Sequence, residues 1–144
     1  MAVSFKQIRD WMEKVVVEPK PEPALMYAIA KAESSMSPIA RNRKTRAKGL
    51  YQLTPICLKD LRERWGLLVD PFDPIQATEG AAVYISWLMR RFPEDIRLVL
   101  AAWNWGIGNV QKWLRNEKEM PKETKNFIEK VLKEYERMRD ANET

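Results

Sequence analysis

The sequence predicts an all-α fold in one domain spanning residues 1–144, and three observations carry that expectation. Apolar residues recur at three- and four-residue spacing through nearly every nonpolar stretch, which is the period of helices that bury one face. Proline marks the starts of these stretches rather than their interiors, where its fixed φ suits the first helical turn and its missing N–H is not needed. At 144 residues and 45% hydrophobic, the chain has the length of one compact domain, and five glycines and nine prolines are too few for a low-complexity sequence.

The elements follow in order. Ser4 caps a first helix, placed at 4–17, with Phe5, Ile8, Trp11, Met12 and Val15 on one side. Glu18 to Pro23 is a proline-stiffened connector within the domain, since the first helix is too short to stand alone. Pro23 opens a second helix ending at Glu33. Residues 35–48 read as a polar, basic loop carrying Arg41, Arg43, Lys44, Arg46 and Lys48, with at most a minimal β-hairpin around 40–52. Thr54-Pro55 starts a third helix, with Leu58, Leu61 and Trp65 inward and Gly66 as its stop. Asp73-Pro74 repeats that signal for a fourth, which carries Ile75, Ala81, Tyr84, Ile85, Leu88 and Phe92. A fifth is expected from Pro93 through Trp103 until Gly106-Ile-Gly108 breaks it, followed by a short helix with Val110, Trp113 and Leu114. Pro121 opens the last, with Phe127, Ile128, Val131, Leu132 and Tyr135 as its buried stripe, before a charged, fraying tail at 137–144.

Composition excludes much chemistry. Lys+Arg 25 against Asp+Glu 20 leaves +5, and there is no histidine. A Ser-His-Asp triad, a Cys-His dyad, an HExxH zinc site and an imidazole proton shuttle are therefore all ruled out. The single cysteine, Cys57, rules out an internal disulfide and a cysteine-based zinc cluster. Catalysis must rest on carboxylates, amides, hydroxyls or lysine, and no metal or cofactor is expected. The N-terminus lacks the apolar core of a secretory signal, and no segment approaches the roughly 20 apolar residues that span a bilayer. The expectation is a chain with no signal peptide and no integral membrane segment. Its modest basic balance favours anionic polymers in general and does not choose between nucleic acid, membrane surface and bacterial wall.

Three clusters carry candidate chemistry. Glu33 shares a helical face with Met26, Ile29 and Ala30, so its carboxyl is expected to be desolvated, protonated near neutrality and fit for general acid work. On periodicity alone, a solvated or hydrogen-bonded surface glutamate at a helix end is the usual reading. Gly49-Leu-Tyr-Gln-Leu-Thr-Pro55 joins the basic loop to a helix; the junction explains Thr54 and Pro55 but not Gln52 between two apolar residues. Ala101-Ala-Trp-Asn-Trp-Gly-Ile-Gly-Asn109 sets an asparagine between two indoles. Those indoles point about 200° apart on a helix, so one is expected in the core and one on an open surface. Aromatic faces beside amides suit a sugar ring, although buried packing explains each tryptophan taken singly.

Together these clusters resemble the soluble lytic transglycosylase family, the lysozyme-like enzymes that cleave bacterial peptidoglycan. The resemblance runs from about Pro23 to Val131. LMYAIAKAES at 25–34 is similar to the family's catalytic helix, with Glu33-Ser34 as its glutamate-serine pair. GLYQLTP at 49–55 is similar to its Gly-Leu-Met-Gln motif. DPFDP at 70–74 with GAAVYI at 80–85, AAWNWGIGNV at 101–110 and MPKETKNFIEKV at 120–131 match its later blocks in order. The loop between Ala40 and Gly49 is one residue longer than usual and lacks the family's serine, for which Asn42 or Thr45 could substitute. Tyr51, Cys57, Trp103 and Phe127 stand where the family has methionine, threonine, tyrosine and tyrosine, swaps that keep apolar bulk and mostly lose hydroxyls.

The resemblance implies a single lysozyme-like helical domain with a substrate groove. It implies that Glu33 acts first as acid and then as base at the bond between N-acetylmuramic acid and N-acetylglucosamine, leaving a 1,6-anhydro product. It also implies that Ser34, Gln52, Tyr84, Asn104 and Glu123 line or support the groove. Glycan strands of peptidoglycan are the implied partner, rather than nucleic acid, with a monomer acting at the bacterial envelope. Two other readings stay open. A goose-type lysozyme would use the same glutamate with water as nucleophile, and an inverting hydrolase would draw a base from Asp70, Asp73, Glu79 or Asp95, about 6.5–9.5 Å from the acid. A non-catalytic basic helical module would bind wall polymer or nucleic acid through its charge and its six tryptophans.

Overall fold

The computed structural model describes the backbone of residues 1–143 and the side chains through Ala141. As expected, the described residues form an all-helical fold: α1 (Phe5–Met12), α2 (Pro23–Ser34), α3 (Pro55–Trp65), α4 (Pro74–Arg91), α5 (Ile96–Trp105), α6 (Ile107–Leu114) and α7 (Lys122–Glu143). β structure among them is limited to two isolated antiparallel bridges, Arg41 with Lys48 and Lys48 with Leu53. The caps fall where local chemistry places them. Ser4 and Gln7 form a reciprocal capping box on α1, the Thr54 hydroxyl accepts from the Cys57 N–H, and the Asp73 carboxylate accepts from Ile75 and Gln76. Gly66 closes α3 at φ 64°.

Three boundaries differ from expectation. α1 stops at Met12 instead of reaching 17; three consecutive β-branched residues, Val15 to Val17, follow it, and such side chains crowd the preceding helical turn. α5 starts at Ile96 rather than Pro93, because the Asp95 carboxylate accepts from the Leu98 N–H and a proline offers no such cap. The tail at 137–144 does not fray at 137, since α7 continues to Glu143. Glu134 holds both Lys31 and Arg137, Arg139 lies 5.2 Å over the Tyr135 ring, and Met138 is buried.

α2 is the central element. Leu25, Met26, Ala28, Ile29 and Ala30 are all buried, and a helix that is apolar around most of its circumference must be enclosed by neighbours. α1, α4 and α7 pack around it, and α5 packs on α4, α6 and α7. Ile8 and Met12, Ile85 and Leu88, Leu100, and Val131 bring apolar side chains from four surrounding helices into this core. The loop before α3 reaches the same core through Leu50, Tyr51 and Leu53. Tyr51 is fully buried, and its hydroxyl lies 2.9 Å from Thr78 Oγ1, which itself donates to the Pro74 carbonyl. The hydroxyl gained at Tyr51 is thus satisfied inside the core, as a buried polar group must be.

Candidate active site

The site starts at the end of α2. Ile29 and Ala30 lie one turn before Glu33 and are fully buried, so the helix carries the Glu33 carboxyl to the edge of the core. Ser35 closes the helix in the left-handed region at φ 54°. The Ser34 hydroxyl donates to the carbonyls of Ala30 (3.1 Å) and Leu50 (2.7 Å), tying this helix end to the 49–53 turn. Burial pushes the Glu33 carboxyl up to about 7, with the neighbouring charge of Glu123 adding to the rise. Two contacts oppose it: the Trp103 indole N–H donates to Glu33 Oε2 at 3.0 Å, and the Lys130 ammonium favours the ionised form. The result is a carboxyl whose pKa is raised into the neutral range. In a chain without histidine, it occupies the titration range that imidazole usually fills.

Glu33 forms part of a cleft of about 400 Å³. The loop before α3 contributes Asn42, Thr45 and Gln52, α4 contributes Tyr84, the end of α5 contributes Trp103, Asn104 and Trp105, and the first turn of α7 contributes Glu123. The structure therefore brings together Glu33, Gln52, Tyr84, Asn104 and Glu123. Ser34 is not among the lining residues, and its hydroxyl is engaged with backbone carbonyls. Gln52, at φ 53°, donates from Nε2 to the carbonyls of Gly49 (2.9 Å) and Ala40 (3.2 Å), so its amide also fastens the loop. The Tyr84 ring meets Trp103 edge to face at 6.0 Å and Trp87 at 5.5 Å. Burial pushes its hydroxyl up to about 12, so it stays a neutral donor.

Trp103 and Trp105 do not divide between core and open surface. Both are half-buried and both line the cleft, with Lys118 lying 5.6 Å from the Trp105 ring. α5 ends at Trp105 and Gly106 turns away at φ 100°, so the cleft wall wraps around the helix end and meets two faces of it. Sequence reasoning missed Trp103 as the hydrogen-bond donor to the acid, and Lys130 as a charge near it. Trp103 is 70 residues from Glu33, and no local pattern reports a contact at that separation. The loop threonine and asparagine are both in the cleft wall and both also serve the loop: Asn42 Oδ1 accepts from the Lys44 and Thr45 N–H groups, and Thr45 Oγ1 accepts from that of Ala47.

The described residues form a helical domain that presents one glutamate, its pKa raised by burial, beside aromatic rings and amides in an open cleft. The 70 kDa soluble lytic transglycosylase of Escherichia coli matches the fold with a TM-score of 0.75 over 88% of this chain and 23% of that one, at 23% identity. The complex of the 70-kDa soluble lytic transglycosylase with bulgecin A matches with a TM-score of 0.78 over 92% and 25% of the two chains, at 21% identity. In sequence, the chain is 34% identical over 117 residues to membrane-bound lytic murein transglycosylase F 1 of Alkalilimnicola ehrlichii, covering 77% of this chain and 22% of that protein. The family described as "Transglycosylase SLT domain" matches residues 11–126. The chain belongs to this family, and it spans about a quarter or less of the length of these relatives.

Proposed function

We propose that this domain is a peptidoglycan lytic transglycosylase that works at the bacterial cell envelope with Glu33 as its one catalytic residue. The observation that carries the proposal is the state of Glu33: a carboxyl held near 7 by burial, hydrogen-bonded by the Trp103 indole, and opening into a cleft lined by aromatic rings and amides. Protonated Glu33 gives its proton to the glycosidic oxygen as the C1–O bond breaks, and the N-acetyl carbonyl oxygen of the muramyl sugar bonds to C1. The Glu33 carboxylate then takes the proton of the C6 hydroxyl, whose oxygen displaces the N-acetyl oxygen from C1 and closes the 1,6-anhydro ring. The glutamate ends protonated as it began, and no water is consumed. Because the nucleophile belongs to the substrate and is held beside C1, no second protein carboxylate is needed.

The inverting form of the hydrolytic alternative requires such a carboxylate. Asp73 and Asp95 cap α4 and α5, and neither they nor Asp70 and Glu79 line the cleft; Glu123 is the other acid there among the described residues. Product mass separates the two reactions. Transglycosylation yields anhydro-ended muropeptides one water lighter than the reducing ends made by hydrolysis, and a digest containing only reducing muramic ends would overturn the proposal.

Trp103 acts on the reaction through Glu33. Its N–H favours the ionised carboxylate, so Trp103→Phe should move the alkaline limb of the rate upward by roughly half to one pH unit. Loss of the orienting bond should also lower kcat. An alkaline limb that stays in place would show that the indole packs against the acid without tuning it.

A further inference from the structure

The Trp103 indole that donates to Glu33 stands half-buried in the wall of the cleft. A swing of its ring about the side-chain bonds would carry the N–H away from the carboxyl oxygen and break the bond. What backs the ring is a column of aromatic side chains. The Tyr84 ring meets Trp103 edge to face at 6.0 Å. Trp65 meets Tyr84 at 6.2 Å and Trp87 at 5.9 Å, and Tyr84 meets Trp87 at 5.5 Å, each with 73° between the ring planes. Edge-to-face pairs set the direction of a ring as well as its distance, because the positive edge of one ring is drawn to the negative face of the next. At the outer end Arg64 lies 4.7 Å and Arg91 5.6 Å over the Trp87 ring, which closes the column toward solvent.

Trp65 is the α3 end of this column. It is the last residue of α3 and is not among the residues that line the cleft. On that helix Leu61 is buried while the other side chains keep some exposure, so the ring contacts with α4 carry much of its seating. The helix also grips Tyr84 by its hydroxyl, which donates to Asp60 with the Arg64 charge close by. The charges that act on Glu33 itself are Glu123 and Lys130, both on α7. An effect of α3 on the acid therefore has to pass through Tyr84 and Trp103, or through water.

Resting on the peptidoglycan reading above, we infer that Trp65 is a positioning residue for Glu33: from outside the cleft, it holds the Trp103 indole on the carboxyl through the Tyr84 ring.

The test reads the Glu33 carboxyl directly, by carbon-13 NMR titration of the full chain with labelled glutamate, its signal identified by its loss in Glu33→Gln. Two effects of Trp65→Leu have opposite signs. If the indole swings off the carboxyl, a bond that favoured the ionised form is lost and the midpoint rises. If α3 only loosens and admits water, the charged form is better solvated and the midpoint falls. The expected result is a rise of roughly a quarter to half a pH unit. No further rise is expected when Trp65→Leu is added to Trp103→Phe, where the route is already cut. Trp65→Phe keeps a ring in place and should hold the midpoint within about 0.1 pH unit. Where circular dichroism shows Trp65→Leu to be unfolded, Tyr84→Leu breaks the column one ring nearer the acid and carries the same expectations. A midpoint that falls or stays, or that rises equally in the Trp103→Phe background, overturns the inference and leaves the peptidoglycan reading intact. Wild-type protein that releases no muropeptides at any pH overturns that reading, while the titration still decides whether Trp65 holds the indole.

Discussion

Glu33→Gln is expected to reduce peptidoglycan cleavage by about a hundredfold to ten-thousandfold, the range that general acid–base groups contribute, while the protein stays folded. The amide keeps the size of the acid but has no proton of suitable acidity to give to a glycosidic oxygen and cannot take one from the C6 hydroxyl. Stability should move the other way. The carboxyl titrates at about 7 in the fold against 4.5 for an ordinary glutamate, so the folded state binds the proton more tightly than the unfolded chain between those values. Stability from this group is therefore present at acid pH, declines as pH rises from about 4.5 to about 7, and stays reduced above that. The glutamine variant escapes the cost, and its Tm should exceed that of the wild type at about pH 8 by more than at about pH 5. Activity is read from release of soluble muropeptides, and stability from thermal scans at the two pH values. Cleavage retained within about threefold of the wild type would remove Glu33 from the reaction and assign the proton transfer to another group.

Gly49→Ala should be the most damaging of the glycine-to-alanine changes, destabilising by more than about 4 kcal/mol. A Cβ at this position would stand 1.7 Å from the Pro71 carbonyl oxygen and 2.7 Å from its carbon, with the backbone at φ 81°. Both obstacles are backbone, so no side-chain rotation relieves them. Separating the two segments would pull apart the turn that carries Gln52 and Leu50 and the segment that carries Phe72 under Arg41. Gly66→Ala is the matched comparison: it also has positive φ, 64°, but nothing lies within 4 Å of the added atom. It should cost only the left-handed strain, about 1–2 kcal/mol. Urea unfolding of the two variants side by side measures the difference, and similar midpoints would show that the 49 and 71 segments separate cheaply.

Gly49 also shows how far the sequence could be read. That a glycine there allows a close backbone approach follows from its missing side chain, but which segment approaches it does not. The 71 carbonyl arrives from beyond α3, and only packing brings it in. The same division runs through the helices. Starts at Ser4, Thr54 and Asp73 and the stop at Gly66 were legible because a cap is satisfied by atoms within a few residues. The continuation of α7 past 137 was not, because Lys31, 103 residues from Glu134, helps to hold it. At the site, Gln52 and Ser34 read as groove residues. Their side chains serve at least as much to fasten the loop and the helix end, to carbonyls that a motif does not reveal.

By itself, the sequence narrowed the chemistry. With no histidine and one cysteine, it left carboxylates, amides, hydroxyls and lysine, and its ordered motifs pointed to Glu33 as the candidate acid. Those are properties of residue identity and of spacing along a helix. Whether that carboxyl keeps its proton was decided only by tertiary structure. The shift comes from desolvation by the surrounding helices, from an indole on α5 and from charges on α7, and solvent exclusion and Coulomb interaction depend on distance in space, which sequence separation does not report.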